Sequence, residues 1–299
     1  MNKGTILVIA LLKINKVGNS KVLKYIVDNN YSYDNCLNNV EKICSKNEFE
    51  LLLEQASNEV KKNYELNIKS ISIFDNEYPS KLYTITDPIL YLYYIGNINL
   101  LTNKSVAIIG TRKPSEYAIQ KTIEYTTAFI KRNIVVVSGL ALGIDTVAHN
   151  TCINNNGLTI AVMPTGLDNI QPTSNKELAR QIIINNGCII SEYSIGTPLN
   201  KFNYAKRDRI QSALSNAILV TEAAEKSGTM IAVNKNLKEQ KPVYQDINND
   251  NNIIKNKVDL NDSAIDEIIK AIDLDKLMEK SRKDKLDIKN TKHSQLTLF

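Results

Sequence analysis

Val106-Ala107-Ile108-Ile109-Gly110-Thr111-Arg112 and Ile134-Val135-Val136-Val137-Ser138-Gly139 decide the fold. Each is a continuous apolar run that does not alternate with polar residues and then closes on small, turn-forming ones. A strand wetted on one face alternates, whereas a strand covered on both does not, so these runs predict a parallel sheet between helical layers. Helical spacing follows each run, from about Glu116 to Arg132 and again from near Ile144. The pattern recurs in Thr159–Met163, Cys188–Ile190, Ala217–Val220 and Pro242–Tyr244. Strand–helix repeats of this length predict a doubly wound α/β domain over residues 66–274.

Upstream, residues 1–65 read as a small all-helical domain, with apolar positions at helix-like spacings and no alternating strand. Leu12-x-Ile14-x-x-Val17-Gly18-x-x-Lys21-Val22-Leu23 has the form of a SAM or helix-hairpin-helix-like turn, which offers backbone N–H groups to a DNA phosphate. A plain helical hairpin whose glycine merely allows the turn accounts for the same residues more simply. Downstream, residues 275–299 are charged and nearly without apolar periodicity, and predict a flexible basic tail.

The 299 residues are 43% hydrophobic and 23% charged, the composition of a soluble globular chain. No run reaches the roughly 18 to 20 apolar residues of a membrane span, and Thr5–Leu12 lacks the cleavage site of a signal peptide. The four cysteines form no C-x-x-C pair, and only two histidines are present, so neither a metal nor a disulfide framework is expected. These features predict a cytoplasmic, metal-free protein without a cofactor. Of the net charge of +5, the segment 276–293 carries +4, so any nucleic-acid site in the body must arise by local clustering.

In an open parallel sheet the chemistry belongs to loops beyond the carboxyl ends of the strands. The first is Gly110-Thr111-Arg112-Lys113-Pro114-Ser115, where two cations precede a helix start that attracts anions. The second, Ser138-Gly139-Leu140-Ala141-Leu142-Gly143-Ile144-Asp145, has the two glycines of a phosphate nest but neither a Walker A nor a dinucleotide fingerprint. Asp145 and His149 stand one helical turn apart and could pair, with His149 read as orienting or structural first. Gly166-Leu167-Asp168 runs into Gln171-Pro172 and Asn175-Lys176. Glu192 is followed by Phe202, Tyr204, Lys206, Arg207 and Arg209, cations for phosphates beside rings on which bases stack. A solvated basic face explains that last cluster equally well.

Taken in order, Gly110-x-Arg112, Ser138-Gly139-Leu140-Ala141-x-Gly143-Ile144-Asp145-x-x-Ala148-His149, Gly166-x-Asp168-x-x-x-Pro172-x-x-Asn175, Ser191-Glu192, Phe202, Arg207-x-Arg209-Ile210 and Glu222 with Ser227-Gly228 resemble the DprA/Smf family. The likeness runs over about residues 66–272. It implies an extended Rossmann-like domain that binds single-stranded DNA in a basic pocket, forms a homodimer and loads RecA in DNA processing and natural transformation, without enzymatic activity. Carried over by position, Gly110, Arg112, Lys113, Ser138, Gly139, Asn175, Lys176, Arg207 and Arg209 would bind DNA. Asp145, His149, Glu192, Phe202 and Glu222 would shape the pocket, the two glutamates as partners of the arginines. Gln171 stands where the family has Tyr, and Asp208 where it has Asn.

An enzyme or nucleotide sensor on the same architecture is the alternative, since related phosphoribohydrolases use an Arg and a Glu near a glycine-rich loop. Their Pro-Gly-Gly-x-Gly-Thr-x-x-Glu signature is absent. Outside this resemblance, Gln295-Leu296-Thr297-Leu298-Phe299 is similar to the peptide by which bacterial replication and repair proteins dock onto the β sliding clamp. It implies clamp binding through Gln295, Leu296, Leu298 and Phe299.

Overall fold

The computed structural model describes residues 1–249, 253–259 and 261–296. They fall into two compact units, Tyr94–Leu277 and Met1–Tyr93 with the C-terminal segment from Met278.

In the larger unit the predicted apolar runs are strands. These are β3 (Ser105–Ile109), β4 (Val135–Ser138), β5 (Thr159–Val162), β6 (Cys188–Ser191), β7 (Ala217–Val220), β8 (Val243–Asp246) and a short β9 (Asn256–Val258). They lie in the order β6-β5-β4-β3-β7-β8-β9, and every pairing is parallel. Between them run α5 (Glu116–Ile130), α6 (Ile144–Asn154), α7 (Lys176–Ile184), α8 (Lys201–Leu214) and α9 (Thr229–Lys238).

The period-two geometry of a strand explains the unbroken hydrophobicity of β3. Val106 and Ile108 pack into one core layer with Tyr125 and Phe129 of α5. Ala107 and Ile109 pack into the other with Met230 and Val233 of α9. Each of these isoleucines contributes about 1.5–3 kcal/mol by leaving water. Helix starts follow their caps: Ser115 Oγ accepts from Ala118 N, and Asn200 Oδ1 accepts from Phe202 N and Asn203 N. At the far end of α8, the buried Lys241 Nζ donates to the carbonyls of Ser212, Ala213 and Ser215 at 3.0, 2.7 and 2.8 Å.

The smaller unit holds α1 (Lys3–Lys13), α2 (Asn19–Asp28), α3 (Tyr33–Asn38) and α4 (Lys46–Glu65), as the spacing predicts, followed by β1 (Lys69–Ser72) and the start of β2 (Tyr91–Gly96). The compact boundary therefore lies near Tyr93 rather than at residue 65. Side-chain bonds explain the shift: Asn2 Nδ2 donates to the Asp75 carboxylate at 2.8 Å, and Tyr93 Oη donates to Glu59 at 3.0 Å. Gly18 caps α2 in extended conformation, nothing lies within 4 Å of a Cβ built there, and the left-handed residue of the turn is Lys16. The turn thus does not depend on its glycine, which favours the plain hairpin.

The expected flexible tail is also different. One helix, α10, runs from Asp262 to Leu296. Ile265, Ile268 and Ile272 bury its start, and Asp275 accepts from Asn216 Nδ2 at 2.9 Å where disorder was expected to begin. The sequence beyond lacks Gly and Pro and is rich in Lys and Leu, so its polarity does not oppose a helix. Leu298 and Phe299 lie outside the described residues, and Gln295 and Leu296 enter only as the helix end.

Candidate nucleic-acid interface

Strand order reverses at β3, with β4, β5 and β6 on one side and β7, β8 and β9 on the other. Loops leaving such a switch point diverge and open a crevice beyond the carboxyl ends. A cavity of about 580 Å³ lies there, a size typical of ligand sites. Gly110, Thr111 and Arg112 come from the β3 exit, Ala141 and Asp145 from the β4 exit, Ser227 and Gly228 from the β7 exit, and α8 supplies the opposite wall with Lys201, Tyr204 and Arg207. Arg112 is exposed, and its guanidinium carbon stands 5.2 Å from the centroid of the Tyr204 ring, within cation–π range. A second recess of about 100 Å³ adjoins it and shares Arg112, Ala141 and Tyr204.

Glu222 holds the β3 exit in place. Its carbonyl accepts from Thr111 N at 2.7 Å and its carboxylate from Ser115 N at 2.8 Å, so this glutamate braces the loop instead of pairing with an arginine. Lys113 is exposed beside Arg112 but lies outside both cavity linings.

The glycine loop does not present the open nest its spacing predicts. Gly139 N and Ala141 N both donate to Asp145 Oδ2, at 3.1 and 3.3 Å, so the carboxylate already occupies the concavity. Burial pushes the Asp145 carboxyl up, opposed by Arg207 and these two N–H groups. Gly139 has a second reason to be glycine, because a Cβ there would fall on the Arg207 guanidinium. Gly143, at φ +79°, brings α6 against the β3 exit, where a Cβ would strike Thr111 O. Ser138 is buried, donating to Ile108 O at 2.8 Å. Asp145 and His149 do not pair: His149 Nδ1 meets Thr159 Oγ1 at 2.8 Å. Burial, helped by Arg207, holds the His149 imidazole down at about 3, so it is neutral and structural.

The arginines of α8 are not surface clamps. Arg209 is 4% exposed and places Nη2 at 2.7 and 2.6 Å from the two oxygens of Glu192. Arg207 is 5% exposed and lies 3.8 Å from Asp145 and 3.1 Å from Asp208, the latter at an angle that makes an ion pair rather than a hydrogen bond. Of the two expected roles, Arg209 therefore takes that of holding Glu192, while Arg207 lines the cavity and is paired with Asp145 and Asp208. Asn175 is buried, donating to Leu140 O and Thr146 Oγ1 at 2.9 Å, while Lys176 is exposed outside both linings. Phe202 stands 79% exposed on the first turn of α8. Sequence reading missed Lys201, its neighbour; the signal was the Asn200 cap, which turns that residue into the cavity mouth.

A Rossmann-like α/β domain with a cation, an aromatic ring and small-residue loops around a switch-point cavity belongs to the class of nucleotide- and polynucleotide-binding folds. Residues 69–273 match the model of DNA recombination-mediator protein A, and the chain belongs to that family. Protein Smf of Synechocystis sp. is 42% identical over 161 residues, which cover 52% of this chain and 40% of that protein. The chain spans about half the length of the curated relatives it matches first. The crystal structure of DNA processing protein A from Streptococcus pneumoniae is similar with a TM-score of 0.67 and 29% identity, covering 90% of this chain and 93% of that one. DNA processing protein A from Helicobacter pylori, whose structure concerns its single-stranded DNA binding mode, is similar with a TM-score of 0.60 and 30% identity, over 67% and 96%.

Proposed function

We propose that this chain binds single-stranded DNA at the switch-point cavity and acts as a recombination mediator in DNA processing. The observation that carries the reading is the Arg112–Tyr204 pair at the mouth of a 580 Å³ cavity, with Lys201 beside it and Phe202 exposed on the same helix turn. Cations take phosphates and rings take base faces, which gives affinity with little base identity. A duplex keeps its bases stacked inside and denies them to the rings. The enzymatic alternative fits less well, since Glu192 and Glu222, its candidate acids, are both committed to internal bonds.

The finer parts of the reading are a homodimer that loads RecA in natural transformation, work in the cytoplasm, and docking of the C-terminal peptide onto the β sliding clamp. Among the described residues no helix is long and apolar enough to cross a membrane. The test is fluorescence anisotropy with labelled oligo-dT and with the matching duplex over a salt series. Tighter binding of the single strand with a steep salt slope is expected. Equal affinity for the two, or a flat slope, would overturn the reading. Light scattering tests the dimer, and polarisation of the tail peptide against the clamp tests docking, with Leu298→Ala plus Phe299→Ala as control.

A further inference from the structure

A buried chain of hydrogen bonds leaves the sheet and ends on the face of α6 that meets α8. Thr159 Oγ1 donates its single proton to Val136 O at 2.8 Å. Its 2.8 Å contact with His149 Nδ1 is therefore one in which the hydroxyl accepts. The neutral imidazole carries its proton on Nδ1 and keeps a lone pair at Nε2. That Nε2 is buried and has no hydrogen-bond partner among the described residues. Arg207 has the complementary need. Its Nε and Nη1 are buried without a hydrogen-bond acceptor among the described residues, and Asp145 and Asp208 reach it as ion pairs. The Asp145 oxygen in that pair, Oδ2, already accepts from Gly139 N and Ala141 N. Asp145 and His149 share one face of α6, and the charge of Arg207 acts on both.

Buried donors and a buried lone pair cost free energy unless they meet, and one ordered water is enough to join them. Resting on the single-stranded DNA reading, we propose that His149 is a positioning residue of the DNA site, accepting from Arg207 through one buried water and so holding the guanidinium against Gly139. The placement matters because Arg207 lines the cavity and lies where a Gly139 Cβ would fall. A guanidinium that drifts disturbs the cavity wall and the glycine loop together. The tautomer matters as much, since an N–H at Nε2 would turn a donor toward a group that has only donors. Thr159, outside both cavity linings, thus sets what Arg207 meets.

The experiment uses the full chain in two readouts. Long-range nitrogen–proton NMR of isotope-labelled protein, with His149→Gln to assign the signals, should show His149 as the Nδ1–H tautomer at neutral pH. Addition of oligo-dT should shift its Nε2 resonance. Anisotropy with labelled oligo-dT then compares two variants that both lose the bond to Thr159. His149→Phe should weaken binding by about fivefold, the effect of one hydrogen bond. His149→Gln, whose amide oxygen reaches the place of Nε2, should recover most of that loss. A merely structural histidine would make the two variants alike. Equal affinities for Phe and Gln, or an Nε2–H tautomer in the unmodified chain, would overturn the proposal and leave the single-stranded DNA reading intact. Failure of the unmodified chain to bind any strand would overturn both.

Discussion

Helix α8 and the β3 exit both place cations near one cavity, yet they use them in opposite ways. Arg112 and Lys113 are exposed, and the Arg112 guanidinium lies over the Tyr204 ring. Arg207 and Arg209 are buried, and each is matched by carboxylates. An exposed cation keeps its charge for a ligand; a buried one spends its field on the acid that made burial tolerable. The contrast separates the residues proposed to bind from residues that hold their surface still.

That division is easiest to break at Arg209. Arg209→Ala removes the close ion pair to Glu192 in a largely enclosed site, and truncating one partner of such a pair costs about 3–5 kcal/mol. Urea denaturation should read the loss, and a variant as stable as the parent would contradict a supporting role. Gly139→Ala drives a methyl into the Arg207 guanidinium, and overpacking of this kind costs about 1–3 kcal/mol. Stability and DNA affinity should fall together here, because the displaced arginine and the loop beneath the cavity share one contact.

Acid should expose the same buried layer. The His149 imidazole, held at about 3 in the fold, takes a proton near its ordinary value once unfolded. Its depressed value makes the neutral ring's contribution complete above about pH 6.5 and progressively lost as pH falls toward 3, at up to about 1.4 kcal/mol per pH unit. His149→Gln should flatten that part of a stability–pH curve measured by thermal unfolding. The smallest stability effect belongs to Arg112→Ala, within about ±0.5 kcal/mol as for other exposed sites. It should nonetheless weaken single-strand binding and lower the salt slope by about one unit per lost phosphate contact. A destabilised Arg112→Ala, or an unchanged slope, would erase the distinction between the two sets.

How far these roles were legible depends on the range of the forces involved. The strands could be read because double-sided burial leaves a local mark, as in Val135–Val137, and Ser115 and Glu116 marked the start of α5 in the same way. For Arg209 the sequence leaves two roles open, a phosphate contact or a hold on a glutamate, because Glu192 lies 17 residues away and only folding brings it near. The two glycines of the β4 exit were visible, but the filling of their concavity by Asp145 was not. Charge density in the tail predicts disorder, whereas the isoleucines that anchor the helix, and Asn216, which binds Asp275 at its start, lie upstream of it.

The ammonium of Lys241 gives α8 a mechanical character. Three carbonyls at the carboxyl end of the helix share one buried charge, so Ser212–Ser215 act as the clamped root of a cantilever. Lys201, Phe202 and Tyr204 sit at its other end, capped through Asn200. Deflection of a clamped beam grows with distance from the root, so small adjustments to a passing strand concentrate in the turn that carries the rings. The rows deeper along the helix, Arg207 and Arg209 included, stay in register while the tip yields.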